Sequence, residues 1–339
     1  MITLRGINFG SVIQPSGATN FDLKGWWYHK PLHFFGLDWS GSTGVTKTTT
    51  LLARKGNMPL KTDGKTPKEW LPRSIIVDRK KKAVLNAVSL SGPGLEFLID
   101  SGWWQKLNKP FLISVMSLEK TADTRKAELR AIFEILSFAK RSGQFHTNWG
   151  VQINLSCPNG GVNPNDLVDE AVPILESADG ILPDTIPVMP KFGPEIHPRS
   201  IARIVKTPRC DALCVFNTMP FGKHPAWSTE SPPIDWKGIF GTDDPLKSPM
   251  AKRFPTFAGG YSGPDLLPFL LEWLRKVRAR GIDIPICAGG GILCPKNVGH
   301  VFDAGGDAVS FGSIAMLAPT QVQATIREAH RYDAYLNGK

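Results

Sequence analysis

At 339 residues, 42% hydrophobic and 21% charged, the chain has the composition of a globular protein with a sizeable core, which excludes a disordered or fibrous chain. No apolar stretch is long enough for a membrane span, no secretory leader is read at the start, and the five cysteines form no C-x-x-C pair; this points to the cytoplasm and away from disulfides, iron–sulfur clusters and metal sites. The net charge of +10 is dispersed apart from Arg79-Lys80-Lys81-Lys82, so it reads as attraction for anionic small molecules, with no nucleic acid and no membrane among the expected partners.

Eight short apolar or β-branched runs are predicted as buried strands. The first, Ser11–Gln14, leads into Ser16 and Gly17. An aromatic, His-rich interruption at Trp26–Ser42 precedes the second strand, Gly44–Thr48, which carries Lys47 and Thr48. A second interruption, Asn57–Ser91, is polar and basic with scattered Pro, and holds Asn86 and Leu90. After the third strand, Phe111–Val115, a helix is predicted over Lys126–Arg141. Its Leu129, Ile132, Phe133 and Leu136 share one face, and Gly143 suits its cap. The strands Val151–Leu155, Val188–Phe192 and Ala212–Asn217 deliver Asn154, Lys191, Phe216 and Asn217, with Thr218 next. A Pro-, Trp- and Gly-rich interruption spans Phe221–Arg253. Beyond Ser262 and Gly263 a helix is predicted over Pro264–Arg280, and shorter helices follow Asp166, Pro198, Pro295 and Pro319. The last strands, Ile284–Ala288 and Ala308–Phe311, run into Gly290, Gly291, Gly312 and Ser313. Strand–helix alternation with eight strands predicts an α/β fold, a (β/α)8 TIM barrel forming one domain over 1–339 with insertions near 26–42, 57–91 and 221–253; a doubly wound sheet is the competitor.

Barrel active sites lie at the carboxyl ends of the strands. That singles out Asn154-Leu155-Ser156-Cys157-Pro158-Asn159, followed by two glycines. A Cys before a turn is often a small core residue. Two amides bracketing it are poor packing choices and good readers of a ligand edge. Lone lysines are usually surface charges, yet Lys47 and Lys191 end different strands and converge if the barrel closes. Single asparagines usually cap turns. Several around one cavity, Asn86, Asn154, Asn159 and Asn217, would suit a planar ring of alternating donors and acceptors. Glycine turns after strands seven and eight let backbone N–H groups approach a phosphate, although such turns are common.

The hexapeptide at 154–159 is the hallmark of soluble dihydroorotate dehydrogenases and of the related domain in dihydropyrimidine dehydrogenases. The chain resembles that family from Ser16-Gly17 to Gly312-Ser313, with the motifs in the same order, and is closest to its single-chain class 1A type. The resemblance implies FMN held by Ser16, Gly17, Lys47, Thr48, Asn154, Lys191, Phe216, Ser262, Gly263, Gly290, Gly291, Gly312 and Ser313. It implies dihydroorotate held by Lys47, Asn86, Leu90, Asn154, Asn159, Asn217 and Thr218, and oxidised to orotate. Cys157, as thiolate, would take a proton from C5 while C6 gives a hydride to the flavin, and Lys47 would stabilise the charge that develops there. A homodimer, and fumarate as final oxidant, belong to the same implication. The chain departs from the family at Val88-Ser89-Leu90-Ser91-Gly92, where only Leu90 is retained. Three alternatives stay open: a flavin enzyme for uracil or dihydrouracil, a tRNA dihydrouridine synthase-like enzyme, and a flavin-binding protein without turnover.

Overall fold

The computed structural model describes residues 1–155 and 169–338. The chain opens with an antiparallel hairpin, β1 (Ile2–Leu4) and β2 (Ile7–Gly10). Strand–helix alternation then begins with β3 (Gly44–Val45). A second hairpin, β4 (Ile75–Asp78) and β5 (Ala83–Asn86), is built from the polar insertion. The alternation resumes with β6 (Phe111–Val115), β7 (Trp149–Asn154), β8 (Val188–Phe192) and β9 (Leu213–Val215). Two short strands, β10 (Met219–Pro220) and β11 (Gly260–Ser262), precede the last pair, β12 (Ile286–Gly289) and β13 (Ala308–Ser310).

Seven of these form one parallel sheet in the order β13-β12-β9-β8-β7-β6-β3. The predicted first strand supplies the eighth stave. Val12 bridges to Val309 of β13 and Ile13 bridges to Thr43 beside β3, both in parallel. Four backbone hydrogen bonds make this seam, with Ser11 and Val12 accepting from Val309 and Thr43 at 2.9 Å each, and Ile13 and Gln14 donating to the same two residues at 3.0 and 2.9 Å. The ring is the predicted TIM barrel.

The two-residue period of the strands sorts its side chains. Val151, Ile153, Val188, Val215 and Val309 face outward into the core shared with the helices. The inward rows begin apolar: Val45, Leu112, Met189 and Ala308 join Ile2, Leu4, Ile7 and Phe9 of the first hairpin in a separate cluster. That hairpin stoppers the amino end of the barrel. Two residues further along the same rows stand Lys47, Ser114, Lys191 and Ser310, all buried. The barrel interior therefore runs from oil to polar toward the carboxyl ends.

The predicted helix before β7 covers Ala122–Arg141 and buries Leu129, Ile132, Phe133 and Leu136, as expected. It starts a turn earlier than the apolar spacing suggests because Thr121 and Thr124 form a capping box. Gly143 takes a left-handed φ of 66°. The predicted helix at 264–280 runs Leu266–Arg278. A second, antiparallel sheet, β10-β11-β5-β4, stands over the carboxyl end of the barrel and carries Asn86 and Ser262.

Candidate active site

A cavity of about 820 Å³ opens at the carboxyl ends of the barrel strands, with its floor made by the polar ends of the inward rows. Lys47 reaches it through a break in the β3 ladder. Thr46 N donates to Leu112 O and Thr49 N to Ser114 O, each at 2.9 Å, so the two residues between them leave the ladder. Lys47 and Thr48 both line the cavity. The Lys47 ammonium donates to the Ser91 carbonyl and lies 4.8 Å from the Phe21 ring centre. Lys191 arrives from β8 by simple alternation, and its ammonium is 3.4 Å from Ser16 Oγ. Ser16 in turn accepts from Thr48 Oγ1 at 3.2 Å, and Thr48 contacts Ser114 Oγ at 2.9 Å. Two buried ammonium groups on one cavity make it a strongly electropositive, low-dielectric space.

The amides line the same cavity, with Asn154 beside Lys191 in the ladder. Asn217 Nδ2 donates to Asn154 Oδ1 at 3.4 Å, and Asn217 Oδ1 accepts from Thr218 N at 3.0 Å. Asn86, at the end of β5, donates to Gly260 O at 3.3 Å. Leu90 lines the same wall in a left-handed conformation, φ 51°, after Ser89 at 57°. The insertion holds this departed stretch in place: Asn57 N donates to Val88 O at 3.0 Å and Met58 N to Ser91 Oγ at 3.0 Å.

At the far end Gly290 and Gly291 have φ of 147° and 74°, and Gly312 and Ser313 face them. A Cβ on Gly291 would lie 2.5 Å from Leu267 N and 2.8 Å from Pro264 O, so only glycine fits this turn. Phe216 lines the cavity while packing edge-on against Trp273 at 5.7 Å. Ser16, Gly17 and Ser262 line it too.

Gly263 stands beside Ser262 and packs against the Tyr261 ring, whose hydroxyl bonds Asp265. A side chain there would strike Tyr261, so the glycine serves packing. Cys157 and Asn159 lie outside the described residues.

The outer wall is built from the two insertions, and its individual residues were not among the predicted site residues. Trp26, Trp27, Tyr28 and Leu32 come from the first insertion, and Trp70, Leu71, Ile75 and Val77 from the second. Trp26 Nε1 donates to Gly17 O at 2.8 Å, and Trp27 stacks on Trp70 with centroids 3.6 Å apart. The signal was the aromatic density of Trp26–Tyr28, which has no helical or strand period to place it. Gln152 was also missed: it is fully buried one inward step below Asn154, with neither end of its amide hydrogen-bonded among the described residues.

Fold and site together define a parallel α/β barrel with an anion-attracting ligand cavity at its carboxyl face. No family model matches the chain. Curated relatives do: it is 24% identical over 325 residues to the catalytic subunit of dihydroorotate dehydrogenase B (NAD(+)) from Anoxybacillus flavithermus, covering 94% of this chain and 86% of the relative. The corresponding subunit from Bacillus cytotoxicus is 26% identical over 305 residues, 87% and 81% of the two chains. Among solved structures, a DHODH from Eimeria tenella in complex with ferulenol superposes with a TM-score of 0.65 at 18% identity, covering 99% of this chain and 85% of that one. Over most of its length the chain is similar to catalytic subunits of dihydroorotate dehydrogenases.

Proposed function

We propose that the chain oxidises dihydroorotate to orotate with FMN as its cofactor. The observation that carries this is the convergence of Lys47, Lys191, Asn86, Asn154 and Asn217 on one cavity whose far end is a glycine cradle. The cradle fits a phosphate: Gly290, Gly291 and Gly312 bring bare backbone to the cavity, and a side chain at Gly312 would meet Pro15 at 2.9 Å. Bound FMN supplies a two-electron acceptor. Lys191, Lys47, Thr48, Ser16 and Phe216 would hold its ring system, and Lys47 adds positive charge where electron density arrives. Asn86, Asn154, Asn217 and Thr218 would orient the pyrimidine, their fixed amides replacing its water shell. Cys157 is assigned as base, with Asn159 as a further substrate ligand.

The test is anaerobic addition of dihydroorotate to the flavin-loaded protein while flavin absorbance is followed. Bleaching by dihydroorotate, and none by dihydrouracil, is the expected result. A flavin that dithionite bleaches and dihydroorotate leaves oxidised would sink the assignment. Cys157→Ala should retain flavin yet slow its reduction by roughly 10²–10⁴-fold, the usual weight of a general base. The wild-type rate should rise with pH as the thiol, ordinarily near pKa ~8.5, becomes thiolate.

Fumarate is the oxidant that the sequence resemblance favours, with a homodimer as the assembly. A second reading, reoxidation by NAD+, is favoured by the names of the curated relatives. Mixing the reduced protein with each in turn separates the two: rapid return of flavin colour with fumarate alone supports the first, and with NAD+ the second.

A further inference from the structure

Cys214 and Cys287 lie just below the cavity floor, one inward step beneath Phe216 and Gly289, which line it. They stand in register on the neighbouring parallel strands β9 and β12, and both are buried in the cluster that fills the barrel interior. On the other side of β9, β8 puts Lys191 in register with Cys214. Three adjacent staves therefore carry an ammonium and two thiols side by side in one inward row. The thiols interact with each other, the charge of Lys191 acts on both, and Ser310 of β13 hydrogen-bonds Cys287.

A single free cysteine in an apolar core is usually a small packing residue. Two in contact beside a buried cation are different, because positive charge nearby favours the thiolate, the form that binds metals. What such a pair can hold is set by its spacing. In-register residues on neighbouring strands stand about 4.8 Å apart. A disulfide wants its Cβ atoms roughly 3.8 Å apart, so closing one here would drag two central staves together. Two thiolate–metal bonds of about 2.3 Å set end to end span roughly 4.6 Å, which matches the strand spacing. Soft thiolates select copper(I), zinc and iron–sulfur clusters. Zinc and the clusters call for four protein ligands, and no group of three or more His, Cys, Asp or Glu among the described residues could hold a metal. Copper(I) accepts two sulfurs in a line. Charge agrees: two thiolates, one monovalent ion and the Lys191 ammonium sum to zero, as buried charges should.

We propose that Cys214 and Cys287 form a binding site for a soft monovalent ion of the copper(I) class, held in line between two thiolates beneath the cavity floor. Binding replaces the two thiol protons, which leave to solvent, and no electrons move. The way in is the cavity, since Lys191 and Ser310 line it and also face the pair. Lys191 is shared, so an ion between the thiols draws on the same ammonium that contacts Ser16. The sequence-level expectation of a chain without a metal site rested on ligands at short spacing; these two meet only through strand pairing. The proposal stands on the barrel interior and does not depend on the reaction assigned above.

Anaerobic titration of the purified full chain with copper(I), against a chromophoric chelator that competes for it, tests the site. Wild type should retain one equivalent more than Cys214→Val/Cys287→Val, which keeps Cys157, Cys210 and Cys294 as internal controls. Valine is close to cysteine in volume, so the copper-free variant should melt near wild type. Cys214→Ala alone should lose the same equivalent, which guards against a double variant that folds poorly. X-ray absorption at the copper edge of wild type carrying one equivalent should show two sulfur neighbours and neither nitrogen nor oxygen. Equal copper in wild type and in the folded variants would overturn the proposal, as would a copper with three or four neighbours. A Cys214–Cys287 disulfide formed in air by the copper-free protein would overturn it equally, because the pair would then close on itself.

Discussion

Lys47 and Lys191 show how much a single position owes to its strand. Lys191 stands two residues beyond Met189 on an inward row, so period-two alternation aims it into the cavity, whereas Lys47 gets there where the chain leaves the β3 ladder. Lys47→Ala should lower flavin retention and slow flavin reduction by roughly 10²-fold, the weight of one preorganised charge at a developing anion. Normal flavin content with normal reduction would remove Lys47 from the flavin site. His29 behaves differently: burial lowers its pKa to about 4, and its Nε2 has no hydrogen-bond partner among the described residues. The unfolded chain takes up a proton near pH ~6.5 and the folded chain only near 4, so stability falls as pH drops through that window, by at most ~1.4 kcal/mol per pH unit. Urea midpoints at about pH 7 and pH 5 should differ for wild type, and the difference should shrink in His29→Asn. An equal difference in both would clear His29 of any part in acid sensitivity. The lysines and asparagines of the site were legible because their types are odd for packing and their places follow from alternation. Gly263 shows the opposite limit: a packing glycine and a phosphate-binding glycine look alike in one dimension, and a Cβ there would meet Tyr261.

Helices and insertions differ in how far local sequence determines them. The helix Leu266–Arg278 was readable from its apolar face, but not its second task. Glu272 on that helix is buried and gathers the start of the third insertion, accepting from Ser228 Oγ at 2.6 Å, Thr229 N at 2.9 Å, Ser231 N at 3.0 Å and Lys276 Nζ at 2.5 Å. Burial pushes its carboxyl up, but Lys276 and the hydrogen bonds from Ser228, Ser231 and Thr229 outweigh it and hold the group well below the usual carboxylate range. Its contribution to stability is therefore present above the ordinary carboxylate pKa and is lost as the solution is acidified below it. Glu272→Ala should destabilise the protein by about 3 kcal/mol and Glu272→Gln by less, since the amide oxygen still accepts. Chemical denaturation measures both, and a loss under about 1 kcal/mol would show that the insertion holds itself. No periodic pattern announces such an anchor. The same is true of the first two insertions, whose aromatic residues find each other across a gap in sequence.

At the scale of the whole molecule the barrel was legible because strands buried on both sides are continuous apolar runs, and eight of them between helices leave few topologies. Strand ends were less so: β3 forms a ladder only over Gly44–Val45 because the chain then bulges to present Lys47. The gradient along the interior makes the two ends unequal. Phe9→Ala, at the stoppered amino end, should cost about 3–5 kcal/mol with catalysis in the surviving folded fraction unchanged. A variant folded as stably as wild type would show that the hairpin is dispensable packing.

The seam that completes the barrel has a kinetic meaning. Val12 and Val309 pair across nearly the whole sequence, and Ile13 reaches Thr43 from the same short segment. Every other neighbouring pair of staves can zip as its crossover is made, but this join waits for the final stave to leave the ribosome. Until then Ser11–Gln14 and β12 present open backbone edges, and the stopper formed by β1 and β2 has no closed ring to fill. Such long-range closure is slow and aggregation-exposed, so the nascent barrel spends most of its synthesis as an open, sticky trough, and a holding chaperone should matter more to its yield than to its final stability.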